Sequence, residues 1–414
     1  MAMKESGIEW VGLIPDTWSV IPNKYVMHKE KNLCEKWTGE DIMSLTMNGV
    51  IVRDLQNPTG KMPATFDGYQ YIEDGDLLMC LFDIDVTPRC VGKVTHDGVT
   101  SPAYSNFKVH DNASRDYFYY YYLMVDNTKE LLHLAKNLRH SFTEEQLGQL
   151  KVPMPPLSEQ QAIADYLDDT CSKIDKIIAE AKASIDEYKE LKQSAIDNAT
   201  MIGIHNSEMK DTDYVWFPEM PKHWNLALAS LLFREDVRPV NENDVSLSLS
   251  QVDGLIPTDD MSERSLKSAT HDNWKHVIPD DLVLNRFKGH LGVFFASRYT
   301  GMVSFHYGVY HAIRDDVYAK YYEYLFHSTT YKNIFALKSN GITVGLQNLS
   351  NGNFYSVKIL HPPLDEQKEI VDYLDEKCKQ IDSLISEKES LIHDLEEYKK
   401  ALIYEVVTGK RRVV

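Results

Sequence analysis

No run of eighteen or more apolar residues occurs in this 414-residue chain, so no segment reads as a membrane-spanning helix. The opening MAMKESGIEW lacks the apolar core of a secretory signal. Cysteine is scarce: Cys34, Cys80, Cys90, Cys171 and Cys378 are scattered, odd in number and never in a C-x-x-C pair. That speaks against a disulfide framework or a cysteine zinc site and suits a reducing cytoplasm. There is no G-x-x-x-x-G-K-[ST] phosphate loop, which excludes ATP-driven work by this chain, and no H-E-x-x-H helix or G-x-S-x-G elbow. An Asn-Pro-Pro-Tyr-like or Asp-Pro-Pro-Tyr-like loop is also missing, as is a glycine-rich cofactor turn, so methyl transfer has no motif here. His271 and His276, like His306 and His311, stand five apart rather than three or four. E-x-K triplets occur at Glu187 to Lys189, Glu190 to Lys192 and Glu397 to Lys399, where a long charged helix supplies them by chance. The expectation is a chain with no catalysis, metal or cofactor of its own.

Positive charge is in deficit too. The net charge is −18, and no segment is basic: residues 1–154 carry 15 basic and 21 acidic side chains, residues 207–360 carry 15 and 18. Phosphate contacts need local positive charge, so any nucleic-acid binding has to come from a local patch or from a partner.

What is abundant is repetition. PPLSEQQAIADYLDDTCSKID (155–175) returns as PPLDEQKEIVDYLDEKCKQID (362–382) at a constant offset of 207. Each copy opens with a Pro-Pro pair, then Ser158 or Asp365 as N-cap, then Glu159 and Gln160 or Glu366 and Gln367 in the first turn. Apolar residues then alternate at spacings of four and three: Leu167, Cys171, Ile174, Ile178, Ala181, Ile185, and in the second copy Leu374, Cys378, Ile381, Ile385, then Lys388 and Ile392. A 3.5-residue period held over some forty residues, roughly 60 Å of helix, is a coiled-coil seam. Lys192 and Lys399 fall on seam positions, where either the aliphatic stems snorkel or the seam opens for a partner.

The segments ahead of the helices match faintly. Trp10, Pro15 and Trp18 correspond to Trp216, Pro221 and Trp224, EDGDLLMCLF to IPDDLVLNRF, GVTSPAY to GMVSFHY, and YFYYYYL to KYYEYLFHS. Short strands are expected in QYIEDGDLLMCLF, CVGKVTH, DLVLNRF and VGLQNL, with helices near 117–136 and 318–337. The fold class is α+β: two similar globular domains, each followed by a long helix, the two helices pairing as an antiparallel coiled coil with pseudo-two-fold symmetry. The boundaries read 1–154, 155–206, 207–360 and 361–414.

Pro15 to Trp18, the Gly75-Asp76-Leu77-Leu78 strand, the Ser101 to Tyr104 turn, the paired P-P-L-x-E-Q helices and the ending YEVVTGK together resemble the DNA sequence-specificity subunit of type I restriction–modification enzymes. Asp280-Asp281 and Ser304-Phe305-His306-Tyr307 depart from that pattern in the second half. The resemblance implies that each globular domain reads one half of a split DNA sequence and that the helices set the gap and dock two methyltransferase subunits. Restriction subunits join the larger assembly, and S-adenosylmethionine, ATP and magnesium belong to the partners. The competing reading is a coiled-coil scaffold or decoy that never touches DNA. For base edges and phosphates, the candidates in the first domain are Arg53, Gln56, Lys61, Arg89, Lys93, Ser105, Asn106, Arg139 and His140. In the second they are Arg286, Lys288, His290, Arg298, His306, Tyr307, Gln347 and Asn348, with NRFKGH the best cluster. The helix residues Glu159, Gln160, Leu167, Ile174, Ile178, Ile185, Glu366, Gln367, Leu374, Ile381, Ile385 and Ile392 are expected to form the spacer and the docking surface. Tyr119 to Tyr122 suggest a stacking platform, but on a helix they face all ways and packing is the simpler reading.

Overall fold

The computed structural model describes residues 2–58, 62–85, 87, 89–135, 141–250, 254–261, 273–339 and 348–413. The chain forms two compact units, Met1–Lys182 with Glu389–Val414, and Ala183–Lys388. Each holds one globular α+β domain, the start of one long helix and the end of the other. The long helices are Leu157–Ile202 and Leu364–Val407.

The faint sequence match becomes a full topological one. In the first unit an antiparallel sheet has the order Val91–Lys93, Leu77–Met79, Ser105–Val109, Met27–Glu30. In the second the order is Phe294–Ala296, Leu282–Asn285, Tyr307–Ala312, Phe233–Glu235, again antiparallel. A second sheet runs Tyr69–Ile72, Gly98–Thr100, Ile42–Thr46, Gly49–Val52, with a parallel pair at its centre and an extra edge strand, Leu33–Cys34. Its counterpart runs Lys275–Val277, Gly301–Val303, Val245–Ser250, Gly254–Pro257, with the parallel pair in the same place. The strands Leu77–Met79 and Leu282–Asn285 read as unbroken apolar runs because both faces are covered. Leu77 and Met79 join the core under the helices, while Leu78 packs with Met43 and Ile72 of the second sheet. The strand expected in VGLQNL falls mostly outside the described residues.

The departures at Asp280 and Ser304 to Tyr307 are conservative in backbone terms. Gly75 and Asp280 both have positive φ, +105° and +68°, and aspartate is among the few non-glycine residues that tolerate that region. Asp76 and Asp281, the next residues, each accept a backbone N–H three positions back, at 3.0 and 2.9 Å. In the turns, Tyr104 N–H donates to the Ser101 carbonyl at 3.1 Å and Tyr307 N–H to that of Ser304 at 3.0 Å.

The short motifs turn out to be the parts of one latch, built twice. Trp18 Nε1 donates to Glu159 Oε2 at 3.0 Å, and Trp224 Nε1 to Glu366 Oε2 at 2.9 Å. Gln160 Oε1 accepts the Ser114 N–H at 2.8 Å while its Nε2 donates to the Pro155 carbonyl. Gln367 does the same with Tyr318 N–H at 2.9 Å and the Pro362 carbonyl. Glu and Gln at the helix starts are therefore clamps on the globular domains, not docking residues. The helices begin two residues earlier than expected, at Leu157 and Leu364, so Ser158 and Asp365 lie inside the first turn.

The aromatic helices complete the latch. Tyr117 OH donates to the Val407 carbonyl at 2.9 Å and Tyr120 OH to Asp168 at 2.7 Å. Tyr321 OH donates to the Thr200 carbonyl at 3.1 Å and Tyr324 OH to Asp375 at 2.5 Å. Each globular domain thus grips the start of one long helix and the end of the other. Those ends lie flat on the tryptophans. Gly409, at φ +72°, leaves no room for a Cβ, which would sit 2.5 Å from Pro15 Cδ and 3.0 Å from Trp18 Cη2. At Gly203, with φ +85°, a Cβ would likewise sit 3.2 Å from Trp224 Cζ2. Tyr120, Tyr121 and Tyr122 are buried and Tyr119 is half-buried, so the run is packing.

The two helices pack together along the expected seam. Leu167, Ile174, Ile178, Ile185, Leu374 and Ile381 are buried, while Ile385 and Ile392 are half-buried. Lys192 Nζ reaches both oxygens of Asp382 at 2.7 Å, and Lys399 Nζ both oxygens of Asp175 at 2.6 Å. The two lysines close the seam with matched ion pairs rather than opening it, and the pairing (192 with 382, 399 with 175) is antiparallel.

Replacing Glu366 with leucine strands the buried Trp224 N–H and is expected to cost about 1–3 kcal/mol. Glu366→Gln, whose carbonyl can still accept, should cost clearly less. Urea unfolding followed by tryptophan fluorescence measures both, and equal losses would contradict the latch.

Candidate nucleic-acid interface

In the first unit the strands Ile42–Thr46 and Gly49–Val52 form a hairpin whose tip exposes Met47 and whose outgoing arm exposes Ile51, Val52 and Leu55. Beside it lies a hollow of about 280 Å³ lined by Thr46, Met47, Phe82, Arg89 and Tyr104 among others. Phe82 stacks on Tyr104 with ring centres 6.5 Å apart. Burial raises the Tyr104 phenol pKa, against the pull of the Arg53 charge nearby. Arg53 is half-buried and its N–H donates to the Ile42 carbonyl at 2.7 Å. Gln56 is exposed in a turn whose N–H is held by Asp54 Oδ1 at 2.8 Å. Arg53, Arg89 and the hairpin tip therefore converge on one surface.

Three other candidates of this unit are framework. Lys93 bonds Asp116 at 3.0 Å, approaches Asp168 at 3.8 Å and lies 5.7 Å over the Tyr119 ring, tying the domain to the long helix. Asn106 is only 1% exposed and donates to Asp76 Oδ2 at 2.6 Å. Ser105 is buried and its hydroxyl faces Glu144 at 3.4 Å. Both lie in a central strand because the turn ends at Tyr104 and pairing starts at Ser105, with no loop between. Lys61, Arg139 and His140 lie outside the described residues.

In the second unit the NRFKGH cluster divides. Arg286 Nη2 donates to Glu235 Oε1 at 2.5 Å and Asn351 Oδ1 at 2.9 Å. Lys275 joins the same carboxylate at 2.8 Å and Tyr310 OH the same Asn351 oxygen, also at 2.8 Å. Burial tends to raise the Glu235 pKa, but hydrogen bonds from Lys275 and Asn351 and the Arg286 charge outweigh it and hold it below the usual carboxylate value. Arg286 is a structural residue. Lys288, two positions on, is exposed. Phe287 and Phe305 are exposed beside it, and the exposed His306 ring lies 5.3 Å from Phe287 and 3.8 Å from Phe305. Arg298, Tyr299 and Asn348 are exposed as well. Tyr307 is half-buried, and its carbonyl accepts from Lys275 at 2.7 Å. Only the backbone of His290 is described, and Gln347 lies outside the described residues. Among the described residues Arg89, Lys288 and Arg298 have no carboxylate within ion-pair distance.

Phe82 and Phe287, equivalent in the repeat, are the functional candidates the sequence reading passed over. The signal was there: both end the matched segments EDGDLLMCLF and IPDDLVLNRF. On the long helices the reading also missed Ile177 with Leu384, and Leu191 with Tyr398. They are exposed, off the seam, at matching repeat positions, and fourteen residues apart, which returns to the same helix face.

Comparison with known proteins bears on these surfaces. The family model described as the type I restriction modification DNA specificity domain matches residues 89–187 and 259–392, more than half of the chain. A chain from a structure on complex assembly and conformational transition of the type I R-M system is similar with a TM-score of 0.69 and 13% identity, covering 96% of this chain and 99% of that one. The HsdS subunit from Thermoanaerobacter tengcongensis is similar with a TM-score of 0.52 and 14% identity, covering 96% and 98%. At these identities the structural likeness concerns the fold.

Arg286→Ala is expected to lower the melting temperature of the protein, and Lys288→Ala to leave it within error. Because the Glu235 pKa is depressed in the folded state, its ion pairs stabilise above the ordinary glutamate value and fade as pH falls through the folded one. The wild type should therefore lose stability below about pH 4.5, and Arg286→Ala should show a shallower acid dependence in calorimetry at stepped pH. A Lys288→Ala protein as unstable as Arg286→Ala would contradict the division.

Proposed function

The chain belongs to the type I restriction–modification DNA specificity family, and on that premise we propose that it is the DNA-reading, non-catalytic subunit whose two domains each read one half of a bipartite duplex sequence. The observation that carries this reading is a shared framework with unlike surfaces. Every sheet of one unit recurs in the other with the same strand order, apart from one extra edge strand. Yet around the equivalent Phe82 and Phe287 one unit presents Met47, Arg53 and Arg89, and the other presents Lys288, Phe305 and His306. A pure scaffold has no need to keep one framework under two different surfaces. Two readers of different half-sequences do. Cations reach guanine edges or phosphates, and exposed apolar or aromatic side chains meet thymine methyls or base steps.

The remaining parts follow from the same account. The paired helices set the distance between half-sites, as half-site spacing follows from geometry in dimeric readers. Their exposed apolar pairs, Ile177 with Leu384 and Leu191 with Tyr398, are the docking surface for methyltransferase subunits, two by the pseudo-symmetry. Restriction subunits complete the assembly. Methyl donor, ATP and magnesium chemistry reside on those partners, and the net charge of −18 assigns much of the phosphate affinity to them. The complex works in the cytoplasm. No helix among the described residues is long and apolar enough to cross a membrane.

Methylome mapping of cells expressing the chain with its cognate methyltransferase tests the proposal. The expected result is a split motif with a fixed gap, relaxed in one half alone by Lys288→Ala and in the other half alone by Arg89→Ala. Each lost base contact should cost about 1–3 kcal/mol of discrimination at its position. A complex that forms while no motif depends on this chain would replace the reading with the scaffold one.

A further inference from the structure

In the second unit three lysines converge on a hollow of about 300 Å³. Lys189, Lys192, Gln193 and Ile196 approach it from one face of the first long helix, at positions i, i+3, i+4 and i+7. Lys332 and His327 approach from the globular domain, and the backbone of Gly292 closes the floor. Gly292 is required there. It has φ +68°, and a Cβ would sit 2.8 Å from Lys332 Cγ and 2.5 Å from the Phe326 carbonyl, so the lysine stem lies flat on bare backbone.

The three lysines are not equally paired: two have an aspartate within ion-pair distance, and Lys332 does not. Lys192 is paired with Asp382, and Lys189 stands 3.9 Å from Asp186. Asp197 also faces Lys332, but its oxygen is engaged by the Gln193 side chain and the Thr329 N–H, each at 2.8 Å. Among the described residues, Lys332 Nζ bonds the neutral Gln193 Oε1, at 3.0 Å. Burial lowers the Lys332 pKa, with Asp197 opposing. His327 is neutral at physiological pH: burial first, then the Lys332 and Lys320 charges, push it down to about 3. A half-buried ammonium with a neutral hydrogen-bond partner, beside two ion-paired lysines, has donors left for a phosphate oxygen.

Among the described residues, the other unit does not repeat this arrangement. The repeat puts Glu396 at the position of Lys189, and Leu123 at that of His327. The helix Arg115–Asn127 runs about a turn further before it restarts as Glu130–Leu134, whereas its counterpart breaks at Phe326 and restarts as Thr329–Lys338. That break is what brings Lys332 to the hollow. In a molecule otherwise built twice, the feature is found in one unit among the described residues.

We propose that this hollow is a phosphate-binding site, with the half-buried Lys332 as its central ligand and Lys189 and Lys192 at its rim. Given the DNA-reading account above, the natural occupant is a backbone phosphate of the bound duplex. A free phosphate or the phosphate of a small molecule shares the same chemistry.

The test uses the full chain and inorganic phosphate as probe. Thermal unfolding in phosphate and in chloride at matched ionic strength should show a phosphate-specific rise in midpoint. Lys332→Gln should abolish it, and Lys189→Gln, an exposed helix position that leaves the fold intact, should reduce it. In the assembled complex, a DNA occupant predicts that Lys332→Gln lowers the slope of log affinity against log salt by about 0.9. An unchanged slope with a lost phosphate response assigns the site to a free phosphate instead. A phosphate response no larger than that of chloride, or one retained in both variants, overturns the proposal. The thermal arm involves no DNA, so its failure leaves sequence reading untouched, and a failure of sequence reading leaves the thermal arm standing.

Discussion

Two buried hydrogen bonds, Trp18 to Glu159 and Trp224 to Glu366, are what turn a string of elements into this molecule. A long amphipathic helix has no fixed attitude to the domain that precedes it unless something near its first turn is tied down. Here an indole N–H, wholly enclosed in each unit, has a carboxylate at the helix start as its acceptor. A buried donor left unmet costs about 1–3 kcal/mol, so the helix cannot swing away cheaply. The glutamine next to each glutamate ties the same turn to a second segment, at Ser114 or Tyr318. Around that clamp the tyrosines bind the far end of the partner helix through Val407 or Thr200.

The consequence is rigidity where the family's task needs it and freedom elsewhere. The strands Leu77–Met79 and Leu282–Asn285 are covered on both faces and lead directly to Phe82 and Phe287 at the surface. Residues at the end of a fully packed strand are well positioned, yet their side chains are free to differ without disturbing the core. Arg286 marks the border between the two regimes. It belongs to the Glu235 network, while Lys288 two residues later belongs to the surface.

How much was legible in the sequence follows from the range of each interaction. The long helices were legible because a 3.5-residue period over forty residues is a local pattern. The duplication was legible because the offset of 207 holds without a gap through the helices. What Lys192 and Lys399 do was not, since their partners Asp382 and Asp175 lie about two hundred residues away in the chain. Asn106 read as a loop residue after a turn motif, but the strand begins without an intervening loop, and its partner Asp76 thirty residues back decides its role. Arg286 was misread for the same reason, with Glu235 fifty-one residues back. Glu159 and Gln160 were placed on the right helix and given the wrong task, because only the folded chain brings Trp18 and Ser114 to them.

The claim that matters most is that the two surfaces read two different stretches of one duplex. Site-specific photo-crosslinking tests it directly. A benzoylphenylalanine is placed at Phe82 in one protein and at Phe287 in another, each assembled with its methyltransferase partner on DNA carrying the methylated motif. The account predicts crosslinks to opposite halves of the motif, separated by the fixed gap. Crosslinks from both positions to the same half, or none from either in a complex that binds DNA, would contradict it.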